Sequence, residues 1–499
     1  MRLLGDSLRP SLGQRVVDWS LQRYARRFAG LFLLAWLLGS LLRLLGWLLR
    51  RPRRLAVAGG HLGLLWTHYR YGWTPFLAAG ISAVTILLGW RYAHPSTFDR
   101  WVRQRTRART RRALVYRRRW QPATSTAGLT IRTGRHEHLP ELLAVRSTAE
   151  VDRVRVRMLP GQTVVDWSQE GARLAQSFGV LDVRARAVPG RPHEVELLAL
   201  VDDPLVAPVP VPEPDDPVDL RAVPVGRRED GEELLLPVLG SHLLVAGVTG
   251  AGKGSVVWSL LAGLGPAIRT GLVRVWAIDP KGGAELSGGA PLFDRFVYGG
   301  QAAGGGPWQT AIADLLDEAV GAMQARLLAM RDPRRPGGPV RTHTPTAAEP
   351  LVLVVVDEVS SITAYAPAAI RTRVENALSL LLSQGRAAGV AVVVATQDPR
   401  KETLAVRDLI PYRVGLRTVE PVGDLILGAG ARARGARTEQ IAPELPGVGY
   451  VLVEGGTEPV RCRFAYLDDD AVAALARYAH LPESVVAAPL FTSSARVAS

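Results

Sequence analysis

Residues 242–261, HLLVAGVTGAGKGSVVWSLL, constrain the fold more than any other stretch of the chain. The apolar run at 243–246 leads into a glycine-rich turn, and the turn leads into the apolar residues of 256–261. A strand that turns tightly into a helix points the helix's first backbone N–H groups over the turn, where the helix dipole favours an anion. Gly247, Gly252 and Lys253 have the spacing G-x-x-x-x-G-K of a phosphate-binding loop. Three of the 61 basic residues are lysines, so an ammonium at 253 in an arginine-rich chain stands out; as a compact point charge it reaches β- and γ-phosphates. The spacing therefore predicts that Gly247, Val248, Thr249, Gly250, Ala251, Gly252, Lys253, Gly254 and Ser255 cradle the phosphates of a nucleotide. One position departs from the pattern. Where Ser or Thr would place a hydroxyl on the nucleotide's Mg²⁺, the chain has Gly254, and Ser255 follows one position late.

Two further strands complete a constellation. In LVLVVVDEVS, an unbroken aliphatic run at 351–356, as a central parallel strand requires, ends in Asp357 and Glu358. Adjacent carboxylates at such an end divide labour: Asp357 holds the Mg²⁺ shell and Glu358 polarises the attacking water. In VAVVVATQDPR, the run at 390–395 ends in Thr396 and Gln397, whose amide can reach the γ-phosphate or that water. With no hydroxyl at 254, the metal's shell is expected to be Asp357 plus either Ser255 or a water. Strand-like and helical segments alternate from 220 to 470, which predicts one α/β motor domain with a mostly parallel sheet. A Pro/Gly-rich stretch at 331–350 reads as an exposed loop inside it. Residues 121–219 read as a small α/β subdomain followed by a Pro/Asp-rich linker, and 471–499 as a short tail.

HLLVAGVTGAGKGSV, WAIDPKGGAEL, VVVDEVS, QGRAAGVAVVVATQDPR and DLIPYRVGLRT follow one another in the order and spacing of the FtsK/SpoIIIE family of double-stranded DNA translocases. Over roughly 150–470 the chain resembles that family, and most of all its actinobacterial plasmid-transfer branch. The resemblance implies a RecA-like P-loop motor that hydrolyses ATP with Mg²⁺. It also implies a homo-hexameric ring around duplex DNA, with plasmid or integrated-element DNA as cargo in conjugative transfer. Under it Lys253 binds phosphate, Asp357 supports Mg²⁺, Glu358 is the catalytic base and Gln397 the sensor. A neighbouring subunit's arginine would stabilise the transition state, with Arg413 and Arg386 as candidates by position. Asp279, Pro280 and Lys281 match the family's DPK, to which the sequence assigns no role. The chain is expected to lack the winged-helix domain that follows many such motors. A chromosome pump at division, a secretion-type ATPase and a nucleotide-gated membrane scaffold are the alternatives.

The first 120 residues have a different character. Phe28–Leu42 is uncharged and continues past Arg43 to Leu49, and Gly72–Trp90 gives a second uncharged segment close to the roughly 20 residues that cross a bilayer. Candidate transmembrane helices are therefore 28–49 and 72–90. The nine arginines of 103–119 place the end of the second segment in the cytoplasm, with the motor. Arg50, Arg51, Arg53 and Arg54 then fall in an outer loop, which leaves open a single crossing with the first segment flat on the surface. The 103–119 run reads as a lipid anchor at the plasma membrane or as a DNA contact. A net charge of +15 agrees with either anionic partner, and the lone Cys462 excludes an internal disulfide.

Overall fold

In the computed structural model the described residues are 63, 65–300, 307–335, 337–400, 404–456 and 458–480. The candidate segment 28–49 and the tail beyond 480 lie outside them. The chain divides into two units, up to residue 99 and from residue 100 onward.

In the first unit, helix α1 (Thr74–Ala93) starts with a proline in its first turn, where the missing N–H costs nothing. It buries no residue, and its 20-residue length with a mean hydropathy of 1.4 over an 18-residue window makes it long and apolar enough to cross a membrane. Trp66, Tyr69, Tyr71 and Trp73 are exposed at its entrance and Tyr92 at its exit. Aromatic rings at both ends of an apolar helix suit the two interfaces of a bilayer.

The second unit opens on helical turns from residue 104 and helix α2 (Arg117–Thr126). Four antiparallel strands follow, β1 (Glu141–Ser147), β2 (Val151–Arg157), β3 (Asp182–Ala187) and β4 (Glu194–Leu200), in the order β1-β2-β4-β3. Helices α3 (Val164–Gln169) and α4 (Gly171–Phe178) connect β2 to β3. Thr163 and Asp166 form a reciprocal capping box at the start of α3, and Gly179, in the left-handed region, ends α4. Tyr116 and Trp120, set among the arginines, enter this core beside Trp167, Leu174 and Phe178. Tyr116 donates to Asp152 at 2.7 Å, and Arg111 binds the same carboxylate. Arg107, Arg112 and Arg119 donate to the carbonyls of Thr148, Leu143 and Ser177. Part of the basic run is thus engaged by the protein itself.

The motor's sheet has ten strands. They are β5 (Val223–Arg228), β6 (Glu233–Leu236), β7 (His242–Ala246), β8 (Val273–Asp279), β9 (Phe293–Tyr298), β10 (Leu351–Val356), β11 (Val390–Thr396), β12 (Tyr412–Leu416), β13 (Val448–Leu452) and β14 (Val460–Phe464). Their order is β9-β8-β10-β11-β7-β12-β13-β14-β5-β6. The six from β9 to β12 are mutually parallel, and the remaining pairings are antiparallel. Both faces are covered, so the central strands are aliphatic throughout instead of alternating. Leu243, Val245, Leu353 and Val355 pack with helix α5 (Lys253–Gly263) and with helix α8 (Asp469–Ala479). Leu244, Val354 and Val356 pack with helices α6 (Trp308–Arg331) and α7 (Ala368–Ala388).

The first part of the Pro/Asp-rich linker is bound to the motor. Leu205 is fully buried, Asp203 receives both Nη atoms of Arg461 at 2.8–3.0 Å, and Arg463 donates to the carbonyls of Leu205 and Val206. The 331–350 stretch is mostly exposed, but His343 turns inward and its Nε2 lies 2.9 Å from the Glu349 carbonyl. Arg184 and Arg186 of the small subdomain reach Glu229 of the motor at 2.7 and 3.1 Å.

Candidate active site

The carboxyl ends of β7, β10 and β11 lie side by side, because Val394 pairs with Leu244 and with Val356. Parallel register therefore brings the three sequence motifs to one edge. The loop after β7 closes through Gly252, with φ +93°, a region favouring glycine. A Cβ there would lie 2.2 Å from the Gly447 nitrogen, and Gly447 N–H donates to Ala251 O at 2.9 Å. The entrance to β13 thus clamps the loop, a contact 195 residues away that the sequence did not signal. Lys253 is buried, and its Nζ donates to Gly247 O at 2.9 Å. Burial pulls its pKa below the usual lysine value, against the opposing pull of Glu358 and Asp357.

Asp357 follows β10 directly, tied by its N–H to Ile278 O at 2.9 Å. Its carboxyl is pushed up to about 6, chiefly by burial, with Asp279, Glu285 and Glu358 adding to the rise and Lys281 opposing it. Glu358 has φ +56°, which makes it the single non-glycine residue with positive φ among the described residues. Such a backbone costs roughly 1–2 kcal/mol and persists where its surroundings over-determine it. Here they do: Oε1 accepts from Gln397 N–H at 3.1 Å and from the Ser360 hydroxyl. Asp357 Oδ2 and Glu358 Oε2 are buried without hydrogen-bond partners, and Lys281 Nζ stands 3.8 and 3.3 Å from them. Buried carboxylate oxygens that lack donors fit a divalent cation beside bound phosphates, so the donor set suits Mg²⁺. Gln397 Oε1 accepts from Thr249 Oγ1 at 3.1 Å, which couples the end of β11 to the phosphate loop.

A cleft of roughly 390 Å³ runs over this edge. Thr249, Lys253, Gly254, Ser255, Lys281, Glu285, Asp357 and Gln397 line it, and Tyr466 and Leu467 wall its far side. The volume falls in the range of small-ligand pockets. Ser255 also faces the clamp, its Oγ 3.5 Å from where a Cβ on Gly447 would lie.

The two arginine candidates lie elsewhere. Arg413 pairs in register with Leu244, short of the loop, and donates to Ile410 O at 3.0 Å. Arg386 makes a bidentate pair with Glu454 at 2.8 Å and donates to Gly240 O, before the start of β7. Arg417, which sequence reasoning passed over, touches the loop through a 3.3 Å bond from Nη2 to Thr249 O. The DPK triplet gains a structural account. Asp279, fully buried, accepts from the N–H groups of Lys281, Glu285 and Leu286 at 2.9–3.2 Å, and so folds 280–286 over the cleft. The spacing of DPKGGAE, short enough for one carboxylate to organise the turn, was the available signal.

The chain is 30% identical over 296 residues to the transfer protein TraSA of Streptomyces ambofaciens, covering 56% of this chain and 66% of TraSA. It is 26% identical over 347 residues to the DNA translocase FtsK of Corynebacterium efficiens, covering 65% of this chain. The chain belongs to the FtsK/SpoIIIE-type family. It spans about a third of the length of the FtsK proteins it matches, 35% in C. efficiens and 28% in Mycobacterium tuberculosis. No family model matches the chain. Among solved structures, the conjugation coupling protein TcpA with ATPγS aligns over 72% of this chain and 98% of its own, at 17% identity and a TM-score of 0.44. In this FtsK/SpoIIIE-type chain the six-strand parallel block, the phosphate loop and the paired carboxylates make up a P-loop ATPase fold.

Proposed function

We propose that the chain is a membrane-anchored, ATP-driven motor that moves double-stranded DNA in conjugative transfer, of a plasmid or an integrated element. The observation that carries the reading is Glu358: a residue with strained backbone, its carboxylate buried at the end of a central strand, with Oε1 fixed by hydrogen bonds and Oε2 accepting none, 3.3 Å from Lys281 Nζ. The names of its relatives, a DNA translocase and a transfer protein, support the cargo and the process. Helix α1 and its flanking rings support anchoring at the cell membrane, with the motor on the cytoplasmic side.

In this reading the loop N–H groups of 248–255 and Lys253 hold the triphosphate of ATP. Glu358 Oε2 takes a proton from the attacking water as its oxygen bonds to the γ-phosphorus and the β–γ bridge breaks. Gln397 is positioned through Thr249 and reports the γ-phosphate to β11. Mg²⁺, when bound, offsets the phosphates' negative charge, and Asp357 would hold it, with Ser255 or a water among the further ligands. The assembly is a homo-hexameric ring in which an arginine acts on the neighbouring subunit's site. Arg413 would give up carbonyl contacts and a 4.0 Å approach to Asp408 to do so, whereas Arg386 would give up a bidentate carboxylate. Charge-assisted bidentate pairs are the stronger, so Arg413 is the better candidate.

The test is ATP hydrolysis by the full chain in lipid nanodiscs, with and without duplex DNA. Turnover that DNA stimulates and Lys253→Ala abolishes supports the motor. A chain that binds ATP and hydrolyses none with DNA present would be a nucleotide-gated scaffold.

A further inference from the structure

The phosphate loop's departure at Gly254 is matched by a residue from another element. A Cβ built on Gly254 would lie 3.3 Å from Glu285 Oε2, and a serine hydroxyl would extend one bond further. The Glu285 carboxylate therefore stands beside the volume in which the usual hydroxyl would sit. We propose that Glu285 supplies the metal ligand that Gly254 lacks, so that the cation of a bound nucleotide is held between Glu285 and Asp357. This rests on the ATPase reading above.

Three observations carry it. Glu285 and Asp357 line the same cleft, and Asp357 is 5% exposed with Oδ2 accepting no hydrogen bond. The Glu285 carboxylate has no hydrogen bond or ion pair to any described residue, yet its backbone is fixed, because its N–H donates to the buried Asp279 at 3.1 Å. Its side chain is exposed, and a carboxylate carried on an ordered turn and left unengaged is suited to a hard cation, which takes one or two carboxylates together with phosphate oxygens and water. The third observation is charge. Replacing a neutral hydroxyl by a carboxylate adds one negative charge to the shell, and Lys281, from the same turn, sits 3.3 Å from Glu358 Oε2 and 3.8 Å from Asp357 Oδ2. The turn 279–286 thus provides both the ligand and its countercharge. The missing Cβ at 254 leaves the carboxylate room, and a side chain there would crowd it.

The experiment is Mn²⁺ binding to the full chain in nanodiscs, read by electron paramagnetic resonance with a non-hydrolysable ATP analogue present. Binding of a fluorescent version of the analogue in EDTA is measured in parallel. Glu285→Gln is expected to weaken Mn²⁺ about 10–100-fold, the range for residues that order a metal shell, while the analogue still binds in EDTA. Gly254→Ser in the Glu285→Gln background should recover most of the loss, because the hydroxyl returns as the charge leaves. Mn²⁺ affinity unchanged in Glu285→Gln overturns the proposal. So does a loss that Gly254→Ser leaves uncorrected, which would assign Glu285 to the fold of its turn. A large gain from Gly254→Ser alone would mean that the native shell is incomplete, and overturns it too. If the wild-type chain binds no analogue with or without metal, the ATPase reading fails and this inference falls with it.

Discussion

Gly252→Ala separates two costs that a glycine in a phosphate loop can hide. At φ +93° an alanine bears the left-handed penalty of about 1 kcal/mol. Its Cβ would also lie 2.2 Å from Gly447 N, 2.8 Å from Gly447 Cα and 3.0 Å from the Pro446 carbonyl carbon. Backbone cannot rotate aside as a side chain can, so the 446–447 segment must retreat by about 1 Å to reach ordinary contact. That retreat breaks the 2.9 Å bond from Gly447 N–H to Ala251 O, worth about 1 kcal/mol, and adds an overpacking cost of about 1–3 kcal/mol. The sum is about 3–5 kcal/mol. Gly250 is the internal control: φ is +73°, but the nearest atom to its Cβ, Arg417 Nη2, is 4.0 Å away. Gly250→Ala should cost only about 1 kcal/mol. Denaturant unfolding of both variants, with nucleotide-analogue binding alongside, is the assay. Equal costs for the two substitutions would refute the clamp.

Glu358→Gln keeps the acceptor for Gln397 N–H and Ser360 while removing the charge, so turnover should fall about 100- to 10,000-fold with ATP bound at least as tightly. Initial rates and equilibrium binding check this; weakened binding with modest loss of rate would count against Glu358 as the base. His242, fully buried at the start of β7 with Nδ1 accepting from Val392 N–H at 3.1 Å, is pushed down to about 4, first by burial and then by Arg386. Between its unfolded value near 6.5 and that folded value the unfolded chain binds more protons, so stability falls as the pH drops through this window. The loss is about 2.5 kcal/mol by pH 4.5, and His242→Asn should remove that slope in denaturation curves taken from pH 7.5 to 4.5. Tyr116→Phe deletes the hydroxyl bond to the buried Asp152 and should cost about 1.5–3 kcal/mol, measured by the same unfolding; no change would show that this bond adds nothing to the seating of the 112–126 segment, whose rings would still pack in the core.

The parts of this molecule legible in its sequence are those that local physics dictates. The strand, turn and helix around Lys253 follow from contiguous residues, and the aliphatic runs of β10 and β11 announce burial on both faces. Asp357, Glu358 and Gln397 could be placed because a carboxylate or amide at the end of a parallel strand shares an edge with every other strand end. Residues fixed by non-local contacts stayed hidden. Glu358's left-handed backbone depends on Gln397 N–H, 39 positions away. Arg417 reaches the loop only because β12 lies beside β7. The 103–119 run shows charge and conceals its packing: Tyr116 and Trp120 seat the helix in the subdomain, and Arg111 follows them inward. The Pro/Asp-rich stretch lacks periodicity because Asp203, Leu205 and Val209 bind the motor one at a time, with no helix or strand repeat to show it.

The central claim is that ATP hydrolysis at this site moves duplex DNA, and triplex displacement by the full chain in nanodiscs tests it most directly. A third strand annealed to a duplex is released only by something travelling along the duplex. Release that requires ATP and disappears in both Lys253→Ala and Glu358→Gln is the predicted result. Hydrolysis that DNA stimulates while the third strand stays in place would contradict the account.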